Sequence, residues 1–176
     1  IRSILETINF QKYQVLIIDS SSVDNTLNIC NDYNCEIHII KQCDFNHGAS
    51  RDLGRKISAT DIVVFLTHDV IPLNNAIDEL IKPIIEGKSE VSYARQIPKE
   101  NAGIFESFPR EYNYSSNSQI RSIKNIDQFG VYTFFCSNSC AAWSNKALDE
   151  IGGFKPALTN EDYFACAELL LKDYKV

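Results

Sequence analysis

Short apolar runs alternate along the first half of the chain with longer segments of helical pattern. The runs are bounded by polar residues and are long enough for strands, whereas the segments between them place apolar residues on one helical face. Strands are predicted at 14–18, 36–40 and 62–66, and helices at 1–8, 25–33 and 45–57. This alternation predicts an α/β fold.

The second half is less regular. A helix from about Asn75 is expected to be limited by Pro83, because proline lacks the backbone donor that a helix interior needs. The mixed, polar segment 96–128 is expected to form loops or short helices. Strands are predicted at 91–94, 131–135 and 140–144, followed by a short helix ending at Gly152-Gly153 and a last helix at 161–172.

Two of the predicted strands run directly into carboxylates. The stretch 61–66 is so uniformly apolar that we expect it to be buried on both faces, as in a parallel sheet covered by helices, and Asp69 follows it. The strand at 14–18 ends at Asp19, which begins a Ser-rich turn. Ligands of open α/β sheets bind at the carboxyl ends of the strands, so both residues predict one polar site for a phosphate or its metal.

Composition excludes several classes of function. A length of 176 residues suits one domain, and 17 basic against 23 acidic residues leave a net charge of −6 with no basic cluster for nucleic acid. The sequence contains no apolar run that would span a bilayer and no signal peptide at Ile1. Six cysteines without a Cys-x-x-Cys pair indicate reduced thiols rather than a zinc site, so we expect a soluble protein of a reducing cytoplasm.

Both ends of the chain have the pattern of an interrupted fold. Ile1 begins inside a predicted helix, and in a sheet of this type a strand comes before that helix. Lys175-Val176 resembles the start of another strand. We therefore expect an internal fragment of a longer protein, truncated at both ends.

Several motifs, in order, carry a resemblance to family 2 glycosyltransferases and most closely to their rhamnosyltransferase-like branch. They cover nearly the whole chain: the turn Asp19-Ser20-Ser21-Ser22, the segment Phe45-Asn46-His47-Gly48 with Arg51, the run Phe65-Leu66-Thr67-His68-Asp69-Val70-Ile71-Pro72, Phe134-Phe135-Cys136-Ser137-Asn138, Gly152-Gly153-Phe154, and Glu161-Asp162.

The resemblance implies the Rossmann-like GT-A fold, with a mostly parallel sheet flanked by helices. It implies one catalytic domain over 1–176, with a nucleotide-binding part at about 1–72 and an acceptor-side part at about 90–176. The implied reaction is inverting transfer of a sugar from a nucleoside diphosphate donor, with deoxythymidine diphosphate rhamnose favoured, to an acceptor hydroxyl in bacterial surface polysaccharide synthesis. The implied acceptor is a glycan or lipid-linked glycan at the inner face of the membrane, where the enzyme would be peripheral.

The resemblance also assigns roles around the donor. Asp69 matches the last carboxylate of the family's D-x-D motif, which holds Mg²⁺ or Mn²⁺, although Thr67 replaces the first carboxylate. Asp19, with Ser21 in the same turn, matches the contact to the donor base, and Arg51 and His47 match nucleotide-side positions. The alternatives are a turn role for Asp69 and Asp19, a surface salt bridge for Arg51, and a structural role for His47.

At the other end of the site, Asp162 matches the general base that deprotonates the acceptor, with Glu161 at the start of the helix. The alternative is a favourable interaction of both acids with the helix dipole. Ser137, Asn138 and Trp143 are candidate acceptor contacts.

Two other functional classes are compatible with an α/β fold. A nucleotidyltransferase is disfavoured because none of the seven glycines forms a phosphate-binding loop. A catalytically inactive sugar-nucleotide binding or scaffold domain remains the alternative, because the first carboxylate of the D-x-D motif is missing.

Overall fold

A computed structural model describes residues 1–157 and 159–176 and contains strands and helices in alternation. The strands are β1 (Leu16–Asp19), β2 (Glu36–Ile39), β3 (Ile62–Leu66), β4 (Val91–Tyr93) and β5 (Cys140–Ser144). The helices are α1 (Arg2–Leu5), α2 (Thr26–Asp32), α3 (His47–Ser58), α4 (Ala76–Ile85), α5 (Ile104–Asn113), α6 (Ile126–Phe129), α7 (Asn145–Glu150) and α8 (Glu161–Leu170). Short 3₁₀ turns lie at Gln42–Asp44, Ile123–Asn125 and Gly130–Phe134.

The strands form two hydrogen-bonded groups. β1 and β2 pair in parallel, whereas β5 lies between β3 and β4 and is antiparallel to both. The expected mostly parallel arrangement is therefore wrong for this second group. The reason lies in the loop before β5: the Thr67 amide, just beyond β3, donates to the carbonyl of Ser139 at 3.1 Å, so the chain enters β5 at the carboxyl end of β3 and runs back along it.

The central strand β5 holds the core together. Its residues Cys140 to Trp143 are almost completely buried, with Ala141 and Trp143 in one apolar cluster and Cys140 and Ala142 in the other. Strand β3 is only half-buried along its length, which corrects the expectation that 61–66 is buried on both faces. The buried position is taken by β5 because it has a hydrogen-bonded neighbour on each side.

Two local predictions are also wrong. Pro83 does not limit α4, which continues to Ile85, because the proline lies in the last turn and the Glu86 amide still donates to Lys82 at 2.9 Å. The segment Val131 to Phe135 forms a 3₁₀ turn instead of a strand. Both edges of β5 are already paired, and Gly130, with φ 55°, turns the chain away from the sheet.

The remaining elements agree with the pattern to within a few residues. The segment 96–128 contains helices α5 and α6. All six cysteines are free thiols, as expected. Within the described residues, every helix is too short or too polar to cross a membrane.

Candidate active site

The turn after β3 presents Asp69 as an exposed carboxylate. The Thr67 hydroxyl donates to Oδ1 of Asp69 at 2.5 Å. This hydrogen bond lowers the pKa of Asp69 below its ordinary value of 3.8. Partial burial opposes the decrease, whereas the electrostatic effects of His68 and Arg110 lower the pKa further. Asp69 therefore stays ionised at neutral pH, as a ligand for a hard cation must be.

A four-residue loop, Cys136 to Ser139, separates Asp69 from Asp162. At one end of this 136–139 loop the Ser139 carbonyl accepts from the amide of Thr67 at 3.1 Å. In its middle, the Asn138 amide donates to Oδ2 of Asp162 at 2.8 Å. Two of the candidate carboxylates therefore lie on either side of one short loop, which fixes both to strand β5.

Asp162 lies at the start of α8 and is half-buried. Its second oxygen, Oδ1, accepts from the amide of Tyr163 at 2.8 Å. Burial raises the pKa of Asp162 above its ordinary value of 3.8, and the charge of Glu161 raises it further, whereas the two amides and Arg51 oppose the rise. A carboxylate with a raised pKa is a stronger proton acceptor, so its environment suits a general base.

A buried network holds the loop in place. The side-chain amide of Asn138 donates to Glu161 at 3.4 Å and its oxygen accepts from the indole of Trp143 at 2.7 Å. Asn138 and Trp143 are 1% and 0% exposed, so the structure does not support their assignment as acceptor contacts. They instead position the backbone amide that binds Asp162. Ser137, in contrast, lines the cavity described next.

A cavity of about 520 Å³ opens beside Asp162. Its lining includes Asn160, Asp162 and Tyr163 around the start of α8, and residues at and just after the end of α5, including Arg110 and Tyr114. Neither of these last two is predicted from the sequence, because 96–128 matches no motif. No local signal marks them, since Arg110 lies in the last turn of α5 and Tyr114 follows the helix in an extended conformation.

Arg51 lies close to Asp162 because it contacts Glu161, the residue that precedes Asp162. Its guanidinium forms an ion pair with Glu161, and both side chains are largely buried, at 16% and 5% exposure. One turn earlier on α3, Asn46 caps the helix by accepting from the Ala49 amide at 3.0 Å. Gly48 lies against the Lys155 carbonyl so closely that a Cβ would come within 1.9 Å of that oxygen. The start of α3 is therefore packed tightly against the segment that leads into α8.

The other nucleotide-side candidates lie in separate local structures. Asp19 is 5% exposed, and its two oxygens accept from the Ser22 amide at 2.8 Å and the Ser22 hydroxyl at 2.6 Å. Ser21 has φ 62° and donates to the carbonyl of Ile40 at 2.8 Å, while exposed His47 packs edge-on against Phe45. In the described part of the chain, no hydrogen bond or ion pair joins these three to Asp69 or Asp162.

A metal ion at this site would depend mainly on Asp69. Among residues 1–157 and 159–176, no three or more His, Cys, Asp or Glu side chains come together as a ligand set. One ionised, exposed carboxylate still fits Mg²⁺, which proteins commonly bind through one or two carboxylates together with water and substrate phosphates.

The sequence that forms this site is matched by a known family. The model of the family described as Glycosyl transferase family 2 matches residues 1–152. The chain belongs to glycosyl transferase family 2. One curated relative is the O-antigen chain rhamnosyltransferase WbaN of Salmonella anatum, which is 35% identical over 169 residues, or 94% of this chain and 54% of WbaN. The chain spans about half the length of the curated relatives it matches.

Solved structures of glycosyltransferases show the same fold. The crystal structure of S. aureus TarS 1-349 superposes with a TM-score of 0.71 at 17% identity, covering 96% of this chain and 49% of that one. The mannosyltransferase PcManGT from Pyrobaculum calidifontis, in complex with GDP-Man and Mn²⁺, gives a TM-score of 0.66 at 16% identity, over 99% and 49%. The fold of this family 2 chain is therefore GT-A, as the sequence motifs imply.

Proposed function

We propose that the protein is an inverting glycosyltransferase that moves a sugar from a nucleoside diphosphate to an acceptor hydroxyl in bacterial surface polysaccharide. The observation that carries the proposal is the half-buried Asp162, which the Asn138 amide binds at 2.8 Å at the wall of the cavity. Deoxythymidine diphosphate rhamnose is the favoured donor. The name of WbaN, an O-antigen chain rhamnosyltransferase, supports both the sugar and the pathway.

Asp162 is the proposed general base. Its two oxygens accept from backbone amides, which hold the carboxylate in one orientation, and its raised pKa favours uptake of the acceptor's proton. Direct attack of the deprotonated hydroxyl on the face of the sugar opposite the diphosphate inverts the anomeric centre. Because Arg51 forms an ion pair with Glu161, no second uncompensated charge lies beside Asp162.

Asp69 is the proposed residue for the metal. It would hold Mg²⁺ or Mn²⁺, with the donor's phosphate oxygens as further ligands, and the ion would supply neutralisation of the charge on the leaving diphosphate. The complex of PcManGT with GDP-Man and Mn²⁺ supports a nucleotide sugar and a divalent ion at this fold. Thr67 lowers the pKa of Asp69 and restricts its orientation through the hydrogen bond at 2.5 Å.

The donor's nucleoside is assigned to the N-terminal part, about 1–72. Asp19 and Ser21 would contact the base, and His47 and Arg51 would border the nucleotide, with Ser22 releasing one oxygen of Asp19 when the base binds. The acceptor, a glycan or lipid-linked glycan, is assigned to about 90–176. An acceptor of this kind would bring the enzyme to the inner face of the membrane.

The proposal is tested by nucleotide binding and turnover with the full-length protein. A thermal-shift series with dTDP, UDP and GDP, each with and without Mg²⁺ or Mn²⁺, should show stabilisation by one pyrimidine diphosphate that increases with metal. Turnover of dTDP-rhamnose should then fall by roughly 10²- to 10⁴-fold in Asp162→Asn while nucleotide affinity is retained.

The matched control for this test is Asp127→Asn, which removes an exposed carboxylate outside the cavity and should leave turnover unchanged. Equal loss of binding and turnover in Asp162→Asn would contradict the assignment of the base. Nucleotide binding without turnover in the unsubstituted protein would support the inactive sugar-nucleotide binding domain instead.

A further inference from the structure

Arg110 differs from the two paired arginines of α3, Arg51 and Arg55, in its partners. It is half-buried on α5 and is the one cationic side chain among the described residues that line the cavity. Arg51 is paired with Glu161, and Arg55 with Asp52 and Asp149. Within the described ranges Arg110 forms no salt bridge, and its Nη1 donates only to the backbone carbonyl of Glu106 at 2.7 Å.

A partly desolvated guanidinium without a carboxylate retains unsatisfied binding capacity. Removing a charge from water is costly unless an opposite charge or a full set of hydrogen bonds replaces the water. One helix carbonyl occupies one of the five N–H donors of Arg110, which leaves a planar fork that fits the paired oxygens of a phosphate.

Arg110 shares a cavity with Asp162 and with the loop that leads towards Asp69. It lines the same cavity as Asp162, and Ser137 of the 136–139 loop lines it as well. The loop continues to Ser139, which binds the turn that carries Asp69.

We propose that Arg110 binds the terminal phosphate of the nucleotide-sugar donor and stabilises the charge that this phosphate gains during transfer, an inference that rests on the proposed function. In that step the acceptor oxygen forms a bond to the anomeric carbon and its proton passes to Asp162. The bond from that carbon to the phosphate oxygen breaks, and its electron pair stays on the diphosphate. A guanidinium facing this oxygen opposes the developing charge.

The role compensates for a specific feature of the sequence. Thr67 stands where the family motif has its first carboxylate, so only one carboxylate of this turn is available to a metal ion. Arg110 supplies positive charge from the lining of the cavity, through a residue that belongs to the fold and does not dissociate.

Calorimetric binding to the full-length protein tests this role. The unsubstituted protein is titrated with dTDP, UDP and GDP in Mg²⁺, and the diphosphate that binds is compared with its own monophosphate. Arg110→Gln should weaken the diphosphate roughly 10- to 100-fold, the value of a charge-assisted hydrogen bond, and should change the monophosphate much less. Arg110→Lys keeps the charge without the fork and should give an intermediate affinity.

Lys124→Gln is the matched control, because it removes one positive charge from an exposed position outside the cavity. If Arg110→Gln does not fold, Arg110→Lys tests the inference instead. A diphosphate affinity below that of the unsubstituted protein supports the role of the guanidinium, and an unchanged affinity contradicts it. The inference is overturned if the substitution leaves diphosphate affinity unchanged, weakens mono- and diphosphate equally, or raises only the KM of the acceptor. Absence of any nucleotide binding by the unsubstituted protein would instead overturn the proposed function, and this inference with it.

Discussion

The indole N–H of Trp143 donates to the side-chain oxygen of Asn138 at 2.7 Å, and neither side chain is accessible to solvent. Trp143 belongs to the central strand β5, whereas Asn138 lies in the loop that precedes it. The same asparagine donates its backbone amide to Asp162. The position of the proposed base is therefore determined by the packing of an indole in the core.

Trp143→Phe should lower the free energy of unfolding by at least about 1–3 kcal/mol. The substitution removes the indole donor and leaves the buried oxygen of Asn138 without a partner, which costs the desolvation of that group. Urea unfolding measures the loss. Tyr33→Phe is the control, because its hydroxyl makes only an exposed hydrogen bond of 3.4 Å to Glu6, so its stability should stay within about 0.5 kcal/mol of the unsubstituted protein. Equal stability of both variants would show that the indole bond does not hold the loop.

Two glycines of α3 should respond in opposite directions to the same substitution. Gly48→Ala places a Cβ 1.9 Å from the Lys155 carbonyl and should destabilise the protein by about 1–3 kcal/mol, because backbone must move. Gly54→Ala places its Cβ at 3.4 Å from Ile18, an ordinary contact, and should be neutral or stabilising by up to about 1 kcal/mol. Thermal unfolding of the pair is the measurement. Similar melting temperatures would mean that α3 can shift away from Lys155 at no cost.

The pH profile of turnover should report the environment of Asp162. Burial raises the pKa of this carboxyl above 3.8, so it becomes protonated, and loses its ability to accept a proton, at a higher pH than an exposed aspartate. The acidic limb of kcat should therefore lie above the ordinary carboxyl range. A limb at or below 3.8 would be inconsistent with a buried aspartate as the base.

Asp69→Asn should abolish the metal-dependent part of stabilisation by a nucleoside diphosphate. Thr67→Val provides the comparison, because it removes the 2.5 Å hydrogen bond that lowers the pKa of Asp69 but leaves the exposed carboxylate in place. At neutral pH that carboxyl stays ionised, so Thr67→Val should retain metal-dependent binding. Thermal shifts with and without Mg²⁺ separate the two variants, and an unchanged metal effect in Asp69→Asn would remove Asp69 from the metal site.

The local sequence pattern was sufficient to predict the position of a candidate residue that lies at the end of a strand. The apolar run 62–66 and its following polar turn predicted both β3 and the position of Asp69 just after its carboxyl end. The family motifs predicted the position of Asp162 at the start of the last helix. Both succeed because a strand end and a helix start leave signals within a few residues of sequence.

The local sequence pattern did not predict the structure where contacts between residues distant in sequence determine it. The apolar residues of Val131 to Phe135 have the composition of a strand, yet no edge of β5 is left for them. Arg110 was not predicted for a related reason. It shares a cavity with Asp162 only in the folded protein, and nothing in the sequence around either residue points to the other.

The central position of β5 also has a consequence for the order in which the molecule can assemble. The parallel pair β1 and β2 joins residues close in sequence, with Leu16 opposite Glu36, whereas Leu66 of β3 finds its partner only at Cys140. During synthesis β3 and β4 therefore cannot pair until β5 has been made. Strand pairing between residues so distant in sequence is slow. The turn of Asp69 and the side chain of Asp162 both bind the loop before that strand, so neither of these contacts can form until the loop has been made. A nascent chain can thus complete the β1–β2 pair long before it has a catalytic centre.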